Sequence, residues 1–211
     1  MWCDPGPPIG RCGVDEVVHV LRTRVSGTAV LSDSDLRRVA SLLSLRHVAK
    51  GETLLSPGDV CGFEVLVLRG CLRVFFTESD GSERVLSFAP EGWWVTDIES
   101  FLWGQPSSLG VTAVEATDVL VIDKPAMAQL QTQVPGCVRI LRLVAEGTLV
   151  ALQRRLIGSM RKSATQRYVE FRRIYPGLDR RIPQYQIAAY LGITAEFLSK
   201  LRRRLPETRE S

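Results

Sequence analysis

Apolar residues follow two different periods along the chain. Helical spacing predicts one helix over Val14–Arg24 and a second over residues 34–45, which either Ser32 or Ser34 would cap. Between residues 47 and 123 the pattern changes to short apolar runs separated by glycines. Within such a run, apolar residues at every second position point to one face of a strand. The chain is therefore predicted to pass from helices into a region of strands.

The predicted strands are separated by recognisable turns. Ser79, Asp80 and Gly81 predict a hairpin turn, because glycine adopts the positive φ that such turns require. The strands predicted from the pattern are Thr53–Leu55 and residues 64–68, 72–76, 84–88, 110–113 and 119–122. Many short strands favour a sandwich or closed barrel over a parallel sheet. The expected fold class is α+β, with a β-barrel followed by helices.

A long helix is predicted over Pro135–Arg161, and its apolar residues form two faces. One face carries Val138, Leu141, Ala145, Leu149, Leu152, Leu156 and Met160, and the other carries Ile140, Leu143, Val144, Val150 and Ala151. Two apolar faces need two partners, for which the barrel and a second copy of the chain are the candidates. The predicted dimer interface consists of Leu141, Ala145, Leu149, Leu152 and Leu156. A helix buried within one subunit is the alternative.

The last helical segment contains a helix-turn-helix pattern between Pro183 and Arg202. Gly192 stands where the first helix needs a residue of positive φ to end, and Thr194 follows as a cap for the second helix. The residues expected to pack between the two helices are Ile187, Ala188, Leu191, Phe197, Leu198 and Leu201. Two helices joined in this way are typical of DNA-binding proteins, although such a hairpin also serves purely structural roles.

The charge distribution favours the DNA-binding interpretation. The net charge is +4, but residues 154–211 hold 14 lysines and arginines against 5 acidic residues, so the rest of the chain is acidic. A basic segment indicates a polyanionic partner, with a solvated helical face as the alternative. The predicted DNA-binding residues are Thr194, Ala195, Glu196, Ser199, Lys200, Arg202 and Arg203. The residues expected to hold the DNA backbone are Arg161, Lys162, Arg167, Arg172, Arg180, Arg181 and Arg204.

Several short motifs occur in an order that resembles one known family. They are Lys50-Gly51-Glu52, Ser56-Pro57-Gly58-Asp59, Val67-Leu68-Arg69-Gly70, Gly81, Ala164-Thr165-Gln166-Arg167-Tyr168, Ile182-Pro183 and the helix-turn-helix pattern. Together, over about residues 31–205, they resemble the Crp/Fnr family of bacterial transcription regulators. The resemblance implies a tail and lead-in helix at residues 1–30, a double-stranded β-helix (jelly-roll) sensor domain at 31–134, a dimerisation helix at 135–162 and a DNA-binding domain at 163–211.

The same resemblance implies the partners. It predicts a cytoplasmic homodimer that binds a palindromic site on double-stranded DNA, with half-sites one helical turn apart. RNA polymerase and a small-molecule effector of unknown identity are further implied partners. A ligand-sensing or protein-interaction module whose helix-turn-helix does not read DNA is the alternative function.

The chain departs from the family at the site of cyclic-nucleotide binding. Where members that bind cyclic nucleotides have a Gly-Glu pair and a later arginine, this chain has Thr96, Asp97 and Ser107. A phosphate that lacks its charged partner loses about 1.5–3 kcal/mol of binding free energy. Cyclic-nucleotide binding is therefore not expected. The remaining candidates for an effector pocket are Trp94, Asp97, Glu99, Ser107, Ser108 and Gln153, whose two acidic residues suit a neutral or cationic ligand, and a ligand-free barrel is the alternative.

A second departure concerns the end of the chain. Only residues 206–211 follow the recognition helix, which is too few for the β-hairpin wing of most family members. The resemblance is thus to a short subgroup that lacks the wing.

Composition argues against other classes of protein. Two histidines and five scattered cysteines form neither a metal-site pattern nor a disulfide framework, so no enzyme activity and no cofactor are expected. A redox role for Cys3 and Cys12 in the predicted mobile tail stays open. No apolar run has the length of a membrane span and no signal peptide is recognisable, so the expected location is the cytoplasm.

Overall fold

The computed structural model describes residues 14–24 and 31–204. Two helices come first, α1 (Val14–Arg24) and α2 (Asp33–Ser41). The strands and one short helix follow as β1 (Ser44–Val48), β2 (Thr53–Leu55), β3 (Phe63–Arg69), β4 (Leu72–Thr77), β5 (Glu83–Ala89), β6 (Trp94–Val95), α3 (Ile98–Trp103), β7 (Leu109–Ala113) and β8 (Thr117–Asp123). The remaining helices are α4 (Lys124–Gln133), α5 (Pro135–Arg161), α6 (Ala164–Ile174), α7 (Leu178–Arg181), α8 (Gln184–Leu191) and α9 (Ala195–Arg204). The predicted tail with Cys3 and Cys12, and the residues after Arg204, lie outside the described residues.

The strands form two antiparallel sheets packed face to face. The strand orders are β1-β8-β3-β6 and β2-β7-β4-β5, so the chain crosses repeatedly from one sheet to the other. Apolar side chains from both sheets meet between them, and Leu54, Phe63, Val65, Leu72 and Val119 are each no more than 2% exposed. Burial of this alternating set supplies the main driving force for closing the sheets. The predicted α+β fold with an N-terminal jelly roll is confirmed.

Of the two lead-in helices, α1 has the predicted bounds, whereas α2 is shorter than predicted. Ser32 caps α2 by accepting a hydrogen bond from the Asp35 backbone N–H at 3.1 Å, and Asp35 completes a capping box. The predicted end of this helix at residue 45 is wrong, because α2 ends at Ser41 and Leu45 lies in β1 opposite Leu120 of β8. Pairing with β8 satisfies the backbone of this segment, and that tertiary contact outweighs its local helical spacing.

Helix α5 has the predicted bounds, and at about 40 Å it is the longest element of the described chain. Near its start, Cys137 and Ile140 are buried in a cluster that α1, α2 and α4 form on the outside of the barrel. Val144 packs against the same cluster, as expected for the face toward the barrel. Leu143 and Val150 were predicted on that face as well, but they are 48% and 43% exposed.

A further apolar cluster joins the barrel to the C-terminal helices. Phe88 of β5 is fully buried, and its ring lies 6.1 Å from that of Phe171, 6.0 Å from Tyr175 and 5.6 Å from Tyr190. The first partner lies on α6, the second directly after it and the third on α8. The helix-turn-helix domain therefore shares one core with the outer surface of the β4–β5 sheet.

Candidate functional site

The helix-turn-helix unit forms between α8 and α9. Gly192 ends α8 with φ 66° and ψ 40°, a left-handed conformation that costs a residue with a Cβ about 1–2 kcal/mol. Thr194 caps α9 by accepting a hydrogen bond from the Phe197 backbone N–H at 3.2 Å. The side chains packed between the helices are Ile187, Ala188, Leu191, Leu198 and Leu201, each at most 5% exposed. The turn and its caps lie where the sequence pattern placed them.

Phe197 is the exception within this motif. The sequence pattern placed it in the core with Leu198 and Leu201, but its side chain is 48% exposed. Leu198 and Leu201 lie three residues apart and already fill the inward face of α9, whereas Phe197 precedes Leu198 and points away from that face. An aromatic ring thus lies on the outer surface of the helix beside the predicted DNA-binding residues.

The predicted DNA-binding residues fall into two groups. Thr194, Ala195, Glu196, Lys200 and Arg203 are exposed, while Ser199 and Arg202 are half-buried. Arg202 turns inward, where its Nη1 lies 3.4 Å from the backbone carbonyl oxygen of Asp179. Hydrogen bonds from its own backbone N–H and from Thr194 lower the pKa of Glu196, so this carboxylate is an acceptor at neutral pH. The outer face of α9 therefore offers a hydrogen-bond acceptor close to two cations.

The basic residues expected to hold a DNA backbone differ in their contacts and in their exposure. Arg181 donates from Nη1 and Nη2 to the two carboxylate oxygens of Glu91, at 3.1 and 2.7 Å, and its Nη2 also contacts the carboxylate of Glu115. Both carboxylates belong to the barrel. Lys162 pairs with Glu170 at 2.6 Å, and Arg167 donates to backbone carbonyls. Arg161, Arg180 and Arg204 are exposed.

Arg181 thus has a role that the sequence did not reveal. Burial acts to raise the pKa of Glu91, but hydrogen bonds from Arg181 and from backbone N–H groups outweigh it and lower that pKa. The pair is charged at neutral pH and bridges the two domains beside the Phe88 cluster. Sequence carries no signal for this contact, because the partners are 66 and 90 residues away from Arg181.

In the barrel, two of the predicted effector residues contact each other. The Ser107 hydroxyl donates to Asp97 Oδ2 at 2.5 Å, while Asp97 Oδ1 accepts from the backbone N–H groups of Glu99 and Ser100 at 3.1 and 3.3 Å. Asp97 thereby caps α3 and is only 7% exposed, and Ser107 is 3% exposed. The residues at the Glu and Arg positions of the family therefore do face each other, but their polar groups are used internally.

The other candidate effector residues do not join this pair. Trp94 packs against the apolar cluster that α1, α2 and α4 form with the start of α5. Glu99 and Ser108 are exposed. Gln153 is also exposed on α5. Their membership of one pocket stays a prediction, and Asp97 and Ser107 are the two that a direct contact brings together.

Two further findings concern the described residues alone. They contain no group of three or more His, Cys, Asp and Glu side chains placed to hold a metal ion. None of their helices combines the length and hydropathy needed to cross a membrane.

Comparison with known proteins agrees with this architecture. Residues 45–133 match the cyclic nucleotide-binding domain family. The structure of FixK2 from Bradyrhizobium japonicum is 20% identical, with 77% of this chain and 84% of that chain covered and a TM-score of 0.67. The c-di-GMP responsive global regulator CLP from Xanthomonas campestris is 17% identical, with 82% and 91% covered and a TM-score of 0.66. A crp/fnr-family protein from Eubacterium rectale is 18% identical, with 82% of each chain covered and a TM-score of 0.63.

No curated protein matches the chain in sequence. The fold and motifs define a chain with a jelly-roll domain of the cyclic nucleotide-binding type, a long helix and a helix-turn-helix domain. The three solved structures share this fold, and one of them is a crp/fnr-family protein, so the architecture that the resemblance implied is confirmed.

Proposed function

We propose that the protein is a DNA-binding transcription regulator that acts as a homodimer. One observation carries the proposal: α8 and α9 form a capped helix-turn-helix with a shared core, and Glu196, Lys200 and Arg203 stand exposed on α9. A second helix of this kind lies in the major groove, where a carboxylate accepts from cytosine and cations donate to guanine or phosphate. The exposed ring of Phe197 is suited to contact with the methyl group of thymine.

The dimer is proposed to form along α5. Leu149, Leu152 and Leu156 are 58%, 44% and 58% exposed, and Val138 and Met160 extend the same stripe. The spacing of four and three residues repeats as in a coiled-coil seam. Leu141 belongs to the predicted interface too, but it is half-buried against the barrel cluster. We therefore centre the interface on the three leucines nearer the C-terminal end of α5.

We further propose that cyclic nucleotides do not regulate this protein. In the barrel, Ser107 stands where cyclic-nucleotide-binding members of the family have an arginine, and its hydroxyl donates a hydrogen bond to Asp97. A cyclic phosphate bound there would meet the Asp97 carboxylate instead of a guanidinium group. The negative charges of the phosphate and the carboxylate repel each other in close contact. Thermal unfolding of the protein in the presence of cyclic AMP is expected to show no shift.

The DNA-binding proposal is tested by selecting genomic fragments on the purified protein at two salt concentrations. A palindromic motif whose affinity falls steeply with salt is expected, because phosphate contacts release counterions. Lys200→Ala should weaken binding to that motif by about tenfold, while Lys50→Ala, at another exposed lysine that lies on the barrel, should leave it unchanged. Weak binding without sequence preference would overturn the proposal and favour a sensor or protein-interaction module.

A further inference from the structure

A cavity of about 480 Å³ lies where the barrel, the long helix and the helix-turn-helix domain meet. The β4–β5 hairpin contributes Phe76 and Arg84 to its wall, α5 contributes Arg154, and α6 contributes Arg173. Gly192, in the turn of the helix-turn-helix, completes the wall. The volume is in the range of small-ligand sites, and none of the effector residues predicted from the sequence lines it.

The charged residues in the wall are mostly arginines. In the part of the chain that the structure describes, five arginines and no lysine line the cavity; the arginines are Arg84, Arg154, Arg155, Arg167 and Arg173. Glu78 and Glu170 are the acidic residues in the same wall. Glu170 is paired at 2.6 Å with Lys162, which lies outside the lining. Because this lysine balances its charge, Glu170 offsets little of the positive charge of the arginines.

Two arginines of the wall, Arg155 and Arg167, are half-buried, and among the described residues neither pairs with a carboxylate. Arg155 donates from Nη2 to the backbone carbonyls of Val85 and Tyr190, at 2.9 and 3.3 Å. Its guanidinium group also lies 3.9 Å from the centre of the Tyr190 ring. Arg167 likewise donates to backbone carbonyls, those of Lys162 and Leu191. Neutral acceptors hold these side chains in place and leave their positive charge available to a ligand.

The outer arginines are available as well. Within the described residues Arg154 makes no ion pair, and Arg173 reaches only Glu170, at 3.9 Å. Arg84 lies 3.6 Å from Glu78, with both side chains nearly half exposed, so this pair is weak. Guanidinium groups recognise phosphate by paired hydrogen bonds, and a recessed site strengthens such contacts over those in bulk water.

We propose that this cavity binds a small polyanion that carries phosphate groups. A ligand held by Arg84, Arg154 and Arg173 would bridge the hairpin, the long helix and the helix-turn-helix domain. It would favour one orientation of α9 relative to α5, since a ligand shifts the conformation toward the state that it binds better. This regulatory consequence rests on the proposed DNA-binding function, whereas binding itself does not.

Isothermal titration of the full-length protein with inorganic tripolyphosphate, without DNA, tests the site. We expect one tripolyphosphate per chain and weaker binding of citrate, which offers carboxylates in place of phosphates. Arg154→Glu and Arg173→Glu should each weaken the affinity at least about tenfold. Arg139→Glu, at an exposed position of α5 outside the cavity, should leave it unchanged.

Three results would overturn the proposal. The first is the absence of binding heat with correctly folded protein. The second is an equal loss of affinity in Arg139→Glu, which would indicate nonspecific attraction. The third is citrate binding as tight as that of tripolyphosphate. If the protein fails to select DNA but still binds tripolyphosphate through Arg154 and Arg173, the proposed function is refuted and the proposed binding site is not.

Discussion

Phe88 offers the sharpest test of how the two domains are joined. Its ring is fully buried, and its three aromatic neighbours all belong to the helix-turn-helix domain. Truncating a buried phenylalanine to alanine costs about 3–5 kcal/mol. Because the cavity left by Phe88→Ala would open at the junction, we expect this cost to fall on the C-terminal helices more than on the barrel. A domain has a total stability of about 5–15 kcal/mol, so the loss is easily measured.

Phe63→Ala is the matched control for this variant. Phe63 is equally buried, at 1% exposure, but it lies between the two sheets of the barrel. Hydrogen–deuterium exchange should show faster exchange in α6, α8 and α9 for Phe88→Ala, and in β3 and β8 for Phe63→Ala. If Phe88→Ala costs less than about 1 kcal/mol, or speeds exchange equally in both domains, the two domains do not share the core described above.

Three further perturbations follow from particular side chains. Leu152→Glu should convert a dimer to a monomer in sedimentation experiments, and Leu102→Glu, at a somewhat more exposed leucine on α3, should not; a dimer that survives both substitutions would refute the α5 interface. Arg181→Gln should lower stability toward urea at neutral pH, with a difference from wild type that shrinks as pH falls. The pKa of Glu91 is lowered in the folded state, so its contribution is present above the ordinary carboxyl pKa and is lost as pH falls through the folded value; a difference that is independent of pH would contradict this. Burial and the nearby charge of Glu115 raise the pKa of Cys71 to about 12, so iodoacetamide at pH 8 should not label it in the native protein, and rapid labelling would contradict its burial.

The sequence located the elements that have strong local signals. Helix α5 begins at Pro135 and ends at Arg161 as predicted, because its apolar spacing persists over seven turns. The turn at Gly192 was also found, since few residues other than glycine adopt its left-handed conformation. The end of α2 was misplaced, because pairing of Leu45 with β8 depends on a strand about 75 residues away.

The sequence by itself determined a barrel or sandwich of short strands, the long helix and the helix-turn-helix, because alternation, helical spacing and turn residues are local properties of the chain. The jelly-roll form of the barrel was implied by the family resemblance. Only the tertiary structure decided what the surfaces do. Packing of the C-terminal helices on the barrel placed Arg181 beside Glu91 and Arg155 against the ring of Tyr190, and packing of α9 on α8 left Phe197 outside the core. The physical reason is that charge and apolar area are fixed by composition, whereas their partners are fixed by contacts between segments far apart in the chain.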